Sequence, residues 1–388
     1  VFKKIILWLH KWLGIITGIV VFLLSITGCL YTFHDDLKLV VYPQKYFIQM
    51  EADQSSPLPL SELLEIAQEA LEKEETVSRV DLYPAPDRTW VFRAQETDEQ
   101  AFGYWNYYVY YKRVFINPYT GEVTAIENSK TEFFQLMLQL HLHLLLGKKY
   151  GHPIVGYSTA IFAVTLLSGI VLWWPKKWKG KTLKRSIWFN IKTKWKRFNY
   201  DLHNVLGFYS FLLALAIAIT GLVFSFPGFK MSYTTFLNSF STGNQPLLSL
   251  PQSPIDSIYI DPLDNALHYA LEKHNDAGMM SIRLRSSNIP VLDIQVRLDE
   301  QRSGLFEWYY FDKNNLYIKE IKSSKSLSGG DKIASLNYDI HTGNIRGIWT
   351  KVLAFFVSLI CAILPVTGYI IWWNKSRKKN FNQLLSKL

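Results

Sequence analysis

Hydrophobic positions along the chain fall into two regimes. Four stretches are apolar almost without interruption: Trp12–Phe33, Ile154–Trp174, Val205–Phe226 and Trp349–Trp373. Each reaches the roughly 20 residues that a helix needs to cross a bilayer. Between the first and second stretches the pattern changes. Leu60, Leu63, Leu64, Ala67 and Leu71 recur at helical spacing, and alternating residues follow; this predicts an amphipathic helix and then antiparallel strands. After the aromatic run "YWNYYVYYKRVFINPYTGEV", the residues Asn117-Pro118-Tyr119-Thr120-Gly121 mark a hairpin. The connection between the third and fourth stretches repeats this order. "DPLDNALHYALEKHNDAGMMSIRLRSS" reads as helix then strand, and "FEWYYFDKNNLYIKEI" as a hairpin around Asp312–Asn315. Each connection therefore predicts a small α+β unit, one helix packed on an antiparallel sheet. The Tyr and Trp runs fit a sheet core and a membrane-interface belt.

The apolar stretches are themselves written twice. "LHKWLGIITGIVVFLLSITGCLYTF" (Leu9 to Phe33) aligns without a gap on "LHNVLGFYSFLLALAIAITGLVFSF" (Leu202 to Phe226), so that His10 matches His203 and Thr27-Gly28 matches Thr220-Gly221. "LLSGIVLWWPKK" likewise resembles "PVTGYIIWWNKS", matching Ser168-Gly169 with Thr367-Gly368. Upstream of each lies a histidine six residues before a glycine, His141 before Gly147 and His341 before Gly347. The unit is helix, external domain, helix, repeated at an offset of about two hundred residues, which implies two halves related by a pseudo-two-fold axis along the membrane normal. The expected fold is a four-helix transmembrane bundle of two repeats, each carrying a small extracytoplasmic α+β domain. Its segments are helix 1 at 1–34, domain 1 at 35–140, and helix 2 with an external lead-in at 141–174. A basic loop at 175–200 and helix 3 at 201–226 follow. Domain 2 spans 227–340, helix 4 with its lead-in 341–374, and a basic tail 375–388.

Charge supplies the orientation. The connection from Pro175 to Tyr200 carries Lys176, Lys177, Lys179, Lys181, Lys184, Arg185, Lys192, Lys194, Lys196 and Arg197 and no acid. Lys375, Arg377, Lys378, Lys379 and Lys387 follow the fourth stretch, and Lys3, Lys4 and Lys11 flank the first. By the positive-inside rule these regions are cytoplasmic and the two acid-bearing connections lie outside. The net charge of +10 is thus a topology signal, and the loop is too short and too closely tied to the membrane to favour nucleic acid. The first stretch lacks the small-residue cleavage site of a signal peptide and is repeated internally. Hydrophobic residues at 49% and charged residues at 19% fit membrane spans joined to water-exposed domains. Both cysteines, Cys29 and Cys361, fall within spans, which leaves the external regions no disulfide framework.

The candidate chemistry is histidine. His268 and His274 lie in the second external helix and read as surface or structural; His34, His143 and His152 lie near the outer face without repeat partners. His10 with His203, and His141 with His341, remain as repeat-related pairs at opposite membrane faces. Ionisable residues at membrane depth are costly, which makes function the default reading. Two imidazoles facing across a two-fold axis suit the axial positions of a haem iron; zinc asks for four tetrahedral ligands. Gly28 lies 18 residues after His10, roughly 27 Å along a helix, so each level pairs two histidines with two glycines from the other helices. Gly28, Gly221, Gly169 and Gly368 either clear a flat ring edge or serve ordinary helix packing, for which Gly14 and Gly18 are also candidates.

The elements "LHKWLG…TG", "LHLLLGKKYGHPIVG" leading to "SGIVLWWP", "LHNVLG…TG", and "DIHTGNIRG" leading to "TGYIIWW" resemble, in this order and over essentially the whole chain, the bacterial PepSY-associated transmembrane family. The resemblance implies that the external units are PepSY domains. It also implies an inner-membrane protein that binds b-type haem, of which the two histidine pairs would hold two, and reduces ferric siderophores or similar ferric chelates in the periplasm. The family histidines fall on His10, His141, His203 and His341 as ligands of haem iron; His34, His143 and His152 are alternatives for the outer ligand. No G-x-G-x-x-G follows a strand, so the electron donor is expected to be a lipid quinol or a separate cytoplasmic reductase. A competing reading is a PepSY-type sensor or regulatory module without redox activity. A transporter is disfavoured, because no carboxylate lies inside a span.

Overall fold

The computed structural model describes residues 1–49, 56–175, 178–240, 250–284 and 290–385. Of the basic positions, Lys176, Lys177 and Lys387 lie outside the described residues, as do the side chains of Lys181, Arg185, Lys378 and Lys379. The chain divides into two compact units. One comprises Val1–Thr32, Met137–Lys230 and Ile340–Leu388, and the other Phe33–Leu136 and Met231–Asp339.

The first unit is a bundle of four long helices, Phe2–Thr32, Lys148–Trp173, Trp195–Ser225 and Ile348–Leu385. All four are long and apolar enough to cross a membrane. The first and third each pack on the second and fourth, so the four form a ring with two diagonals. Ile16, Ile19 and Leu212 point outward, exposed, as a lipid-facing surface requires. Inside, Leu166, Ala214, Val357 and Cys361 form an apolar cluster. Gly18 admits the ring of Tyr369, whose hydroxyl donates to the Ile15 carbonyl at 2.6 Å; close packing is therefore the role of this glycine.

The first and third helices begin about three turns before their apolar stretches do. Lys3, Lys4, Lys196 and Arg197 lower the hydropathy there but are good helix formers. Short helices, Phe133–His143 and Asn337–Thr342, precede the second and fourth spans. The reversal after the former holds Leu144 and Leu145 at φ of 53° and 57°, with Gly147 at 79°. Left-handed backbone at a leucine costs about 1–2 kcal/mol, so surrounding contacts must hold this turn.

The second unit is built on one sheet. Strands β1 (Val77–Leu82), β2 (Trp90–Thr97), β3 (Tyr108–Ile116) and β4 (Val123–Asn128) come from the first long connection. Strands β5 (Met279–Arg283), β6 (Val291–Asp299), β7 (Arg302–Asp312) and β8 (Ile318–Ser323) come from the second. The order is β4-β3-β2-β1-β5-β6-β7-β8, every pair antiparallel. The sequence predicts two separate sheets; they are joined because β1 and β5 pair, Asp81 opposite Ser281. Both predicted hairpins are present. Gly121, at φ 74°, bonds back to Asn117, and Leu316 to Asp312.

Helices Leu60–Glu69 and Pro262–Lys273 cover one face and bury Leu60, Leu63, Ala67, Leu263, Ala266 and Ala270 against Phe92, Ile282, Ile294 and Tyr309. Asp264 joins the two helices by accepting from the Ser61 amide at 3.0 Å and hydroxyl at 2.6 Å. Across the β1–β5 seam the buried Asp81 accepts from Arg79 (2.8 Å), Arg93 (3.0 Å) and the Ser281 hydroxyl (2.7 Å). Burial alone would raise its pKa, but the guanidinium groups of Arg93 and Arg79 outweigh burial and hold the carboxyl below the ordinary aspartate value.

Candidate functional site: two facing histidine pairs

His10 lies two turns into the first long helix and His203 two turns into the third, on one diagonal of the bundle. Their ring centroids are 6.2 Å apart with planes at 86°. His141 lies in the last turn of the short helix before the second span, and His341 lies in the short helix before the fourth. Their centroids are 6.1 Å apart at 70°. The structure thus brings the four histidines together in the two pairs that the sequence singles out.

One hydrogen-bonding device recurs at all four. His10 Nδ1 meets Ser168 Oγ at 2.9 Å and the Thr165 carbonyl at 3.1 Å. His203 Nδ1 meets Thr367 Oγ1 at 2.9 Å and the Leu364 carbonyl at 3.1 Å. His141 Nδ1 meets Thr27 Oγ1 and the Leu24 carbonyl, both at 3.0 Å. His341 Nδ1 meets Thr220 Oγ1 at 3.0 Å and the Ile217 carbonyl at 3.1 Å. A carbonyl can only accept. Each hydroxyl spends its own hydrogen on its helix, for example Thr27 on Leu23 at 2.7 Å and Thr367 on Ile363 at 2.9 Å. The proton on every ring is therefore on Nδ1, and Nε2 keeps its lone pair. Metal-ligating histidines are held in this way, the second nitrogen donating to a carbonyl and so fixing tautomer and orientation.

The four glycines stand beside these rings. A Cβ on Gly169 would lie 3.3 Å from His10 Cε1, on Gly368 3.5 Å from His203, on Gly28 3.6 Å from His141, and on Gly221 3.4 Å from His341. The close approach they permit is in the first place that of an imidazole edge to a helix.

The spacing suits one metal ion per pair. With a metal–nitrogen bond of about 2.0 Å and about 1.1 Å from ring centre to nitrogen, two imidazoles on opposite sides of one ion have centroids about 6.2 Å apart. Among the described residues there is no group of three or more His, Cys, Asp or Glu that could hold a metal. Two imidazoles per level are the protein donor set that a haem iron takes.

The remaining histidines are placed differently. His143 and His152 face each other at 5.8 Å; His143 Nδ1 meets Gln139 Oε1 at 2.9 Å, and His152 Nε2 donates to the Ser225 carbonyl at 3.0 Å. His34 belongs to the sheet unit and pairs with Asp35 at 2.9 Å. His274 is buried and meets the Tyr309 hydroxyl at 2.8 Å, while His268 is half-buried beside Glu272. Sequence reasoning gave the Ser-Gly and Thr-Gly dipeptides a role through their glycines alone. The hydroxyls of Ser168, Thr367, Thr27 and Thr220 each meet an imidazole Nδ1, and the signal for them is the same dipeptide occurring four times.

Bundle, sheet and paired histidines define a membrane α+β protein with two candidate metal-binding levels. The chain belongs to the PepSY-associated TM region family, whose description matches residues 7–375. No curated protein matches the chain.

Proposed function

We propose that this protein carries electrons across the bacterial inner membrane through two b-type haems and reduces a ferric siderophore or similar ferric chelate on the periplasmic side. The observation that carries the reading is the fourfold device just described. Each of four imidazoles has Nδ1–H tied to a helix carbonyl and a hydroxyl, and the ring separation in each pair would leave room for one haem iron between them. His10 and His203 would hold one haem, His141 and His341 the other. When bound, haem supplies one-electron exchange between ferric and ferrous iron.

The rest is the work of this chain. Leu24, Thr165, Ile217 and Leu364 carbonyls orient the rings, and the apolar bundle excludes water. The matched halves act as two repeats, each contributing one imidazole per level. In this reading the sheet unit consists of two PepSY domains in the periplasm, where the chelate binds, and both termini and the basic loop are cytoplasmic. Reduction to ferrous iron weakens its hold by hard oxygen ligands and releases it.

The test is haem stoichiometry in detergent-purified His10→Ala, His203→Ala, His141→Ala and His341→Ala proteins. Each variant is expected to keep one of two haems. Either double variant within a pair should lose no more than its single variants, since one lost ligand already opens the site. Full haem content in His203→Ala would refute the pairing with His10. Full content in His141→Ala would move that ligand to His143, His152 or His34.

A further inference from the structure

One buried polar group in the bundle, outside the two pairs, has an acceptor left unmet among the described residues. Asn199, in the helix Trp195–Ser225, is 1% exposed. Its Nδ2 donates to the Thr367 carbonyl at 3.1 Å. Its Oδ1 is buried and, among the described residues, accepts no hydrogen bond. An unmet buried carbonyl is costly, so such groups call for a partner or a purpose.

Its surroundings indicate the purpose. Asn199 lies one helical turn before His203, and both side chains dock on the same turn of the fourth helix: His203 on Leu364 and Thr367 Oγ1, Asn199 on the Thr367 carbonyl. In the matching half, the position one turn before His10 is Ile6. The amide is therefore additional to the duplicated histidine device and present once. A group needed on only one side of a symmetric site suits a ligand that comes and goes.

An acceptor with no donor of its own selects a ligand that brings an O–H or N–H. Within an apolar bundle that ligand must also be lipid-soluble. We infer that Asn199 Oδ1 is the docking acceptor for the ring hydroxyl of a lipid-soluble hydroquinone, the electron donor to the His10–His203 level. This rests on the function proposed above. The hydroquinone gives up two electrons, one at a time, and two protons, and leaves as the quinone. The protons pass to cytoplasmic water, and two ferric ions become ferrous at the far side. Once oxidised, the ring oxygen is a carbonyl and cannot donate, so the same acceptor releases the product.

The test separates binding from electron flow. Full-length protein in detergent is dialysed against 5-pentylresorcinol, whose meta hydroxyls donate but cannot form a quinone, and against its dimethyl ether, with protein-free micelles as blank. Wild type is expected to bind the resorcinol about five- to tenfold more tightly than the ether, the worth of one neutral hydrogen bond. Asn199→Leu should lose that preference, and Asn199→Asp, which keeps an acceptor oxygen, should retain it. Reduction of bound haem by a short-chain benzohydroquinone should slow by a similar factor in Asn199→Leu, with dithionite reduction unchanged.

Equal affinities in wild type would overturn the assignment, as would a preference that survives in Asn199→Leu. A lost preference with an unaltered hydroquinone rate would show that the amide does not serve the donor. If the wild-type protein carried no haem, the proposed function would fail, but the dialysis would still decide whether Asn199 selects a hydroxyl.

Discussion

The hydroxyl that each imidazole shares with a helix carbonyl can be removed without touching the imidazole itself. Thr367→Val keeps the shape of the side chain and deletes the 2.9 Å contact to His203 Nδ1, leaving the Leu364 carbonyl at 3.1 Å as sole acceptor. The net worth of one such bond is about 0.5–1.5 kcal/mol, which corresponds to a factor of about 2 to 13 in affinity. Removing partners that orient a metal-bound histidine costs about 10- to 100-fold. The surviving carbonyl bond places the expected loss at the lower end, about tenfold weaker haem retention at the His10–His203 level and none at the other. The control is Thr17→Val. Thr17 is equally buried and its hydroxyl also bonds back to its helix, to Leu13 at 2.9 Å, but it serves no histidine. The assay is transfer of haem to excess apomyoglobin, followed by the visible spectrum. Equal transfer rates in Thr367→Val and Thr17→Val would refute the orienting role.

Further outcomes follow from packing and charge. Gly18→Ala would put a Cβ 3.0 Å from the Tyr369 ring; overpacking of this kind costs about 1–3 kcal/mol, read as a lower unfolding midpoint in detergent. Asp81→Asn should destabilise the sheet unit by about 3–5 kcal/mol, because Arg79 and Arg93 lose the buried carboxylate they share. The folded-state pKa of Asp81 lies below its unfolded value. Its contribution is therefore complete above about pH 4 and is lost as the pH falls through the folded pKa. Amide exchange in β1 and β5 should show this loss in wild type and not in Asp81→Asn.

Much of this architecture is legible in the sequence because its signals are local. Apolar runs mark the spans, and Asn117–Gly121 and Asp312–Asn315 mark their hairpins, since hydropathy and turn chemistry act over a few residues. The histidine pairs are legible for another reason: alignment of the chain on itself puts His10 on His203 and His141 on His341. What escaped depends on long-range contact. Pairing of β1 with β5 joins residues two hundred positions apart, and no alternation pattern specifies which edges meet. The third helix begins at Trp195, inside a segment read from its lysines as loop; hydropathy falls there while helix propensity does not. Asn199 depends on long-range contact as well, because its meaning appears only when it is seen buried against Thr367. The carbonyls of Leu24 and Leu364 cannot be read from a sequence at all, since the side chains that carry them are incidental.

The hydrogen bonds also reveal how the two halves divide the work. His10 is oriented by Ser168 and Thr165, and His141, which leads into that same second helix, is oriented by Thr27 and Leu24 of the first. The first two spans therefore clasp each other reciprocally. His203 with Thr367, and His341 with Thr220, clasp the third and fourth in the same way. Every orienting bond lies within one half of the chain, whereas every facing pair takes one imidazole from each half. A chain cut between the second and third spans, at Thr193, should therefore leave two fragments, each with its imidazoles already oriented and neither with a complete site. Co-expressed fragments are expected to co-purify with two haems, the eight-stranded sheet closing again through β1 and β5. Either fragment alone is expected to hold none as a monomer. Stable haem on the monomeric first fragment, measured by sedimentation with absorbance detection, would show that both axial ligands come from one half and would overturn this division.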